Sequence, residues 1–465
     1  MQLPIALAAA VIAIQDVSVI DVIKGKAMPA KTVIVKDGKV ADIVGRAPRN
    51  ATLVVDGKGK FLIPGLWDMH VHIRGGVESI PDNETFLKLY VANGVTYVRE
   101  MGGDIPETVF AWRKEIEEGK RTGPHLFTSG PKLDGPKPSW PGSIPVANAE
   151  EGRQAVRKLH LMGADFVKVY FDYIEAPVLR AIAEEAEKWK MPVAGHFARN
   201  LTIREQVEAG IRDGQHARFY LLQGSCTDER YVAREFIKRR NSEKPMGFDE
   251  WTKKLMEEFN PAQERSLIGM LVDNKAWFTP TLAVGAAGLT VGMRTYHDDP
   301  RAKYIPANIW KSWDPASGIR KAPSDEVRSL RALVQRKGLE FIPKMRDAGV
   351  PLLAGTDTGF ANNYMFPGWS LHDEISLMRE AGLTNFEALQ TATINPVRYF
   401  KLEKTHGTIA RDKAADLVMI DGNPLVDIRN TAKISGVMVN GKWYGKADLD
   451  KLLGEAAREA AISRK

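Results

Sequence analysis

Phe61-Leu62-Ile63-Pro64-Gly65-Leu66-Trp67-Asp68-Met69-His70-Val71-His72 is an almost unbroken apolar stretch that ends in two histidines one residue apart. An apolar run of this kind, here 62–73, fits a strand buried on both faces, as in a parallel sheet. In an extended chain residues i and i+2 point to the same side. Both imidazoles therefore emerge together at the end of the run, where they can reach one ion. Imidazole is a common ligand of zinc and related metals.

Moving towards the C-terminus, seven more runs of buried character follow, at 95–101, 125–130, 166–171, 192–197, 210–219, 276–284 and 350–358. Each ends in small or polar residues. Helical patterns lie between them, such as 176–190 and 324–348, the latter with Ser324 as an N-cap and Gly349 as a stop. Eight alternations of strand and helix predict an α/β fold, a (β/α)8 TIM barrel over 61–406. Two connections, 220–260 and 285–323, are too long for plain loops. The second carries Trp310 and Trp313. Such insertions either cover an active site or decorate the periphery.

Towards the N-terminus the pattern is different. Short β-branched or alternating segments at 17–21, 31–35, 39–44 and 52–55 surround an Asp37-Gly38 turn signal. They read as a small antiparallel sheet. Strand patterns return beyond Asn395-Pro396, at 415–421 and 434–439, followed by Asn440-Gly441, another hairpin signal. The simplest arrangement joins 1–60 with 407–465 in one small β-sandwich-like domain beside the barrel. Residues 448–463 close the chain as an amphipathic helix.

The composition is that of an ordinary globular protein: 465 residues, 44% hydrophobic and 26% charged. The net charge of +7 is spread through mixed acidic and basic sequence. The densest basic run, Lys238-Arg239-Arg240, is flanked by Glu235 and Glu243 and reads as a solvated helix face, so no nucleic-acid partner is expected. The single cysteine, Cys226, excludes an intramolecular disulfide and has no nearby histidine to activate it. No stretch is long and apolar enough to span a bilayer. The alanine-rich segment 3–14 lacks a basic leader, since the first Lys or Arg is Lys24. A cytoplasmic location is expected, with a periplasmic or secreted one as the alternative if 3–14 is the remnant of a trimmed signal.

The other histidines fall into register with the barrel. His196 ends the fifth run, His216 lies towards the end of the sixth, and Asp357 ends the eighth. Barrels gather catalytic groups at the C-terminal ends of their strands. One such histidine would be unremarkable. Four histidines and an aspartate converging on one mouth point to a metal site. Lys168 sits in the apolar strand Phe166-Val167-Lys168-Val169-Tyr170, where an unpaired ammonium is costly. It needs a partner or a chemical change. Reaction with CO2 gives a carbamate able to bridge two metals. A carboxylate partner or a substrate anion is the alternative.

The stretch from Phe61 to His72 resembles the opening motif of the amidohydrolase superfamily. Lys168, His196, His216 and Asp357 fall where that superfamily has its carboxylated lysine, later histidines and terminal-strand aspartate. Segments 94–99 and 415–418 are also similar to recurring family segments. The resemblance runs from about Val17 to Gly441 and is closest to the imidazolonepropionase-like and prolidase-like branch. It implies two divalent ions, expected to be Zn2+. His70, His72 and Asp357 would hold one, His196 and His216 the other, and a CO2-derived carbamate on Lys168 would bridge them. It further implies attack by a metal-activated hydroxide on an amide C–N bond, in a dipeptide-like or N-acyl amino acid-like small molecule. Asp357 would carry the proton. The same centre would also serve an ester, lactone or phosphotriester, and a non-catalytic metal-binding protein is the third reading.

Prolidase-like members continue past the lysine with small residues and glycines, whereas this chain has Tyr170-Phe171-Asp172-Tyr173. Dipeptide specificity is therefore not carried over. Lys168 argues against imidazolonepropionase activity itself. Tyr170 shares a side with Lys168 by alternation and reads as an oxyanion donor or a packed core tyrosine. Arg218 shares a strand face with His216 and reads as a site for a substrate carboxylate or as half of an ion pair. Trp140, in Ser139-Trp140-Pro141-Gly142, is expected to line the pocket. A homo-oligomer is expected.

Overall fold

The structure is a computed structural model that describes residues 10–240, 242–293, 298–316, 321–359 and 362–463. Residues 3–9 of the N-terminal apolar segment lie outside the described residues.

Seven parallel strands run around a barrel: Leu66–Val71, Val95–Glu100, His125–Thr128, Val167–Tyr170, Val193–His196, Asp213–Gln215 and Trp277–Thr279. The third and fourth are joined by the Asp165 N–H, which donates to Thr128 O at 2.9 Å. The eighth position is held by parallel bridges, Leu352 to Phe278 and Thr358 to Val71, which close the ring. The predicted α/β barrel is thus present, with helices such as Ala149–Met162, Ala176–Lys188 and Asp325–Ala348 between its strands. The last of these starts at Ser324, whose side chain accepts from Val327 N, and stops at Gly349 in the left-handed conformation.

Besides the eighth run, 350–358, which carries isolated bridges in place of a strand, the structure departs from the predicted runs at three places. The run 62–73 is two strands. Phe61–Pro64 belongs to another sheet, and the barrel strand begins at Leu66. The break is at Gly65, where a Cβ would lie 1.9 Å from Thr96 Oγ1, so only glycine lets the chain cross the second barrel strand. The sixth run, 210–219, is a strand only over Asp213–Gln215, and the seventh, 276–284, only over Trp277–Thr279. Both then turn through residues with positive φ, His216 at 60° and Thr281 at 50°, into the helices Ala217–Gly224 and Leu282–Leu289. Arg218 therefore stands on a helix and does not share a strand face with His216.

The terminal segments form one eight-stranded sheet. Val11–Asp21 pairs antiparallel with Lys26–Lys36 but parallel with Leu53–Asp56 and Phe61–Pro64, so the sheet is mixed where an antiparallel one was expected. Leu417–Ile420 pairs antiparallel with Phe61–Pro64 and ties the two ends of the chain together. Both hairpin signals are used. Asp37-Gly38 joins Lys36 to Lys39 and Asn440-Gly441 joins Val439 to Lys442, with positive φ at all four turn residues. The terminal helix Lys446–Ser463 docks on Ile80–Ala92, where Glu459 meets Thr85 and Lys88. Among the described residues no helix is long and apolar enough to cross a membrane.

Candidate metal centre and active site

The first strand carries His70 and His72 to the mouth of the barrel, both buried. Hydrogen bonds fix both rings. His70 Nδ1 lies 2.7 Å from Gln215 Oε1, and His72 Nδ1 lies 3.0 Å from Gly102 O. Both partners accept, so each Nδ1 carries the proton and each Nε2 is left with a lone pair. These two lone-pair nitrogens stand 3.3 Å apart. Asp357 Oδ1 is 3.4 Å from the first and 3.2 Å from the second. Two acceptors and a carboxylate oxygen at this separation repel one another unless a cation lies among them. The ligand atoms of His70, His72 and Asp357 all fall within 4.8 Å of each other, which makes them a candidate site for a divalent ion.

His196 and His216 form a second group, their Nε2 atoms 2.8 Å apart. Thr281 Oγ1 holds His216 Nδ1 at 2.7 Å, and Asp357 Oδ2 lies 4.0 Å from the same nitrogen. The two groups are contiguous, since the His70 and His216 ring centroids are 5.0 Å apart. Burial keeps all four rings neutral. It depresses His72 and His216 to about 3 and drives His70 and His196 well below the ordinary histidine range. Neutral imidazole is the form that binds metal. For Asp357, burial works to raise the pKa, yet the net direction is downward, towards the ionised form that suits a cation.

Lys168 is fully buried on the fourth strand, and its Nζ has no hydrogen-bond partner. Burial, followed by the charge of Lys132, pushes its pKa down to about 7. An orphaned amine beside a ring of ligating groups fits the chemistry of a carbamate far better than that of a structural cation. Tyr170, two residues on, packs its ring 4.3 Å from His196. Burial raises its hydroxyl pKa, so it stays protonated.

A cavity of about 710 Å³ opens from His196, His216 and Asp357. Tyr170 and Arg218 line it, as do Phe219, Phe248 and Trp251. The segment 220–260 supplies two helices, Glu229–Arg240 and Phe248–Glu257, and Phe248 and Trp251 of the second wall the cavity. Arg218 reaches it from the first turn of its helix, with Nη1 donating to Thr281 O at 2.8 Å. Trp140, expected to line the pocket, stands outside the lining of this cavity. It packs edge-on to Tyr170 at 6.4 Å, with the Arg74 guanidinium 4.6 Å over its ring.

The residues that orient the candidate ligands were not read from the sequence. Gln215 directly precedes His216, and Asp68 shares a strand face with His70. Either position hinted at a supporting role. Asp68 accepts from His70 N at 3.2 Å and from Thr356 Oγ1 at 2.7 Å, tying the first strand to the approach to Asp357. Thr281 and the Gly102 carbonyl carried no such hint, because their roles depend on how separate strand ends meet. Cys226 is buried, with its thiol pushed up by burial, and takes no part. Arg239 of the basic run pairs with Glu250 on the neighbouring helix.

The chain matches the amidohydrolase family over residues 61–233 and 315–444. It belongs to that family, and with it to the hydrolases of carbon–nitrogen bonds. Ochratoxinase of Aspergillus niger is 22% identical over 424 residues, covering 79% of this chain and 72% of the relative. Among solved structures, bottromycin amidohydrolase superimposes with a TM-score of 0.71 at 22% identity, covering 96% of this chain and 90% of that one. A Xaa-Pro dipeptidase with bound methionine in its active site gives 0.67 at 19% identity, covering 94% of this chain and all of the other. At these identities the superpositions speak for a shared fold.

Proposed function

We propose that this chain hydrolyses the amide bond of an N-acyl amino acid-like or dipeptide-like small molecule at a centre for two divalent ions. The observation that carries this reading is the pair of inward Nε2 lone pairs of His70 and His72, 3.3 Å apart, beside an unpartnered buried amine on Lys168. Neither arrangement suits a protein without cations at that place. His70, His72 and Asp357 would hold one ion, His196 and His216 the second, with Lys168 as its carbamate between them. The nitrogen-rich donor set suits zinc. Bound ions of this kind lower the pKa of a water and polarise a carbonyl.

The protein's own groups do the rest. Asp357 accepts the proton of the attacking water and passes it to the leaving nitrogen, so that amide and water give a carboxylic acid and an amine. Tyr170 donates its hydroxyl hydrogen to the carbonyl oxygen as charge develops there. Arg218 meets the carboxylate of the substrate. The Phe219, Phe248 and Trp251 wall excludes water and receives the apolar part. Supporting this reading are the family membership and the kind of reaction named for ochratoxinase, bottromycin amidohydrolase and the Xaa-Pro dipeptidase.

Zinc-loaded protein screened against N-acyl amino acids, dipeptides, lactones and aryl esters tests this directly. Turnover of amides that stops on chelation is expected. Turnover confined to esters or lactones would move the chain to that chemistry. Lys168→Ala should lose metal and activity together, with rescue by short carboxylates. Two ions retained without rescue would rule out the bridging role.

A further inference from the structure

Gln335 has no part in the chemistry above, yet it is one of the most unusual side chains in the cavity. It stands on the helix Asp325–Ala348 and is only 6% exposed. Its Nε2 donates to Leu282 O at 3.0 Å, which fixes the orientation of the amide. The remaining atom, Oε1, is buried and has no hydrogen-bond partner. A buried acceptor left unpaired in a site that binds ligands points to a donor that the ligand brings.

The surroundings of Oε1 narrow the choice of ligand. A Cβ on Gly285 would lie 2.0 Å from Gln335 Oε1 and 2.9 Å from Arg218 Nη1. An acceptor and a guanidinium therefore meet over Gly285, at a place where the helix presents no side chain. All three residues line the cavity that leads to His216 and Asp357. A sulfate would suit Arg218 but turn only lone pairs towards Oε1. A simple ester or lactone has no N–H to offer it. A carboxylate with an N–H one carbon away suits both.

We propose that Arg218 and Gln335 form a subsite for the amino-acid half of the substrate, with Arg218 facing the carboxylate and Gln335 Oε1 accepting from the adjacent N–H. The inference rests on the amide-hydrolase reading and deepens it. The subsite selects amides over isosteric esters, and it requires a free carboxylate next to the scissile nitrogen.

Calorimetry on the metal-loaded protein tests this with N-methanesulfonyl-L-phenylalanine, whose sulfonyl group resists hydrolysis. It is compared with its N-methyl derivative and its carboxamide. The parent probe should bind about tenfold or more tighter than either analogue. In Gln335→Met the preference for the N–H should vanish while the preference for the carboxylate remains. Equal binding of parent and N-methyl probes by the native protein, or an N–H preference that survives in Gln335→Met, would overturn the proposal. Gly285→Ala gives a second test. Alanine favours the helix, but its methyl fills the gap, so the parent probe should bind at least tenfold more weakly to a protein with unchanged circular dichroism. Undiminished affinity there would also overturn it. If the probe preferences hold but no amide is turned over, the hydrolase reading fails and the subsite stands.

Discussion

Two buried cations inside the same barrel are treated in opposite ways. Arg99, on the second strand, donates Nε to Met69 O at 2.7 Å, Nη1 to Asp213 Oδ2 at 2.5 Å and Nη2 to Thr279 Oγ1 at 3.2 Å. Thr279 in turn donates to Asp213 Oδ1 at 3.1 Å. Lys168, on the fourth strand and equally buried, has no hydrogen-bond partner at all. The network around Arg99 links the first, second, sixth and seventh strands. The region around Lys168 becomes complete only when something is added. The same interior thus contains one buried cationic residue whose hydrogen bonds are met within the protein and one whose are not, the pattern expected if Lys168 serves the proposed chemistry.

Substitutions on the two sides should separate function from stability. The largest effect is expected at the site. Asp357→Asn keeps the shape and tolerates the left-handed backbone, φ 61°, at this position. It should lower kcat by about 10²–10⁴-fold while urea denaturation of the metal-free protein shows little loss of stability. Full turnover with metal retained would remove Asp357 from its role. On the architectural side, Arg99→Met leaves Asp213 buried and unpaired and should cost about 3–5 kcal/mol in the same denaturation experiment. Lys168→Met, by contrast, removes an orphan and, with both proteins metal-free, should stay within about 1 kcal/mol of the native protein or exceed it. Similar costs for the two would abolish the distinction. A smaller effect is expected at Gln215→Leu, which frees the His70 ring and should weaken metal binding by about 10–100-fold, read by competition with a chromogenic chelator.

The smallest effect is at the opposite end of the barrel, where Asp416 from the terminal sheet pairs with His125 Nε2 at 3.1 Å and with the Tyr97 hydroxyl. Burial opposes both ionised forms. Even so, Asp416 raises the His125 pKa, and His125 leads the groups that lower that of Asp416. The histidine contribution is complete below about pH 6.5 and is lost as pH rises through the folded value. The aspartate contribution is present above about pH 4 and is lost as pH falls through its folded value. His125→Gln should therefore cost about 1–2 kcal/mol near pH 5.5 and less at pH 8.5. Equal losses at both would show that the pair contributes no charge.

Periodicity and residue type made the barrel legible, because each buried strand ends in a polar or ligating residue. The His-x-His pair and Lys168 stand out because their types conflict with or crown an apolar run. The split at Gly65 was hidden, since both strands it joins are equally apolar and only the crossing over Thr96 distinguishes them. Arg218 was placed on a strand because a turn through His216 at positive φ leaves no trace in hydropathy. Gln335 was invisible for another reason. A glutamine on a long helix looks like a surface residue until the helix is packed and its oxygen is found without a partner.

The seat of Phe61–Pro64 between Val11–Asp21 and Leu417–Ile420 has a consequence for biosynthesis. Its second neighbour is made roughly 350 residues later, some 20–70 s at ordinary rates of ribosomal elongation. Until then one edge of the strand directly upstream of the first barrel strand is bare. The barrel and its histidines can condense during translation, but the sheet that anchors their first strand cannot close until Leu417–Ile420 has left the ribosome. Truncation ahead of Leu417 should therefore harm assembly of the candidate metal site more than its distance from the histidines suggests.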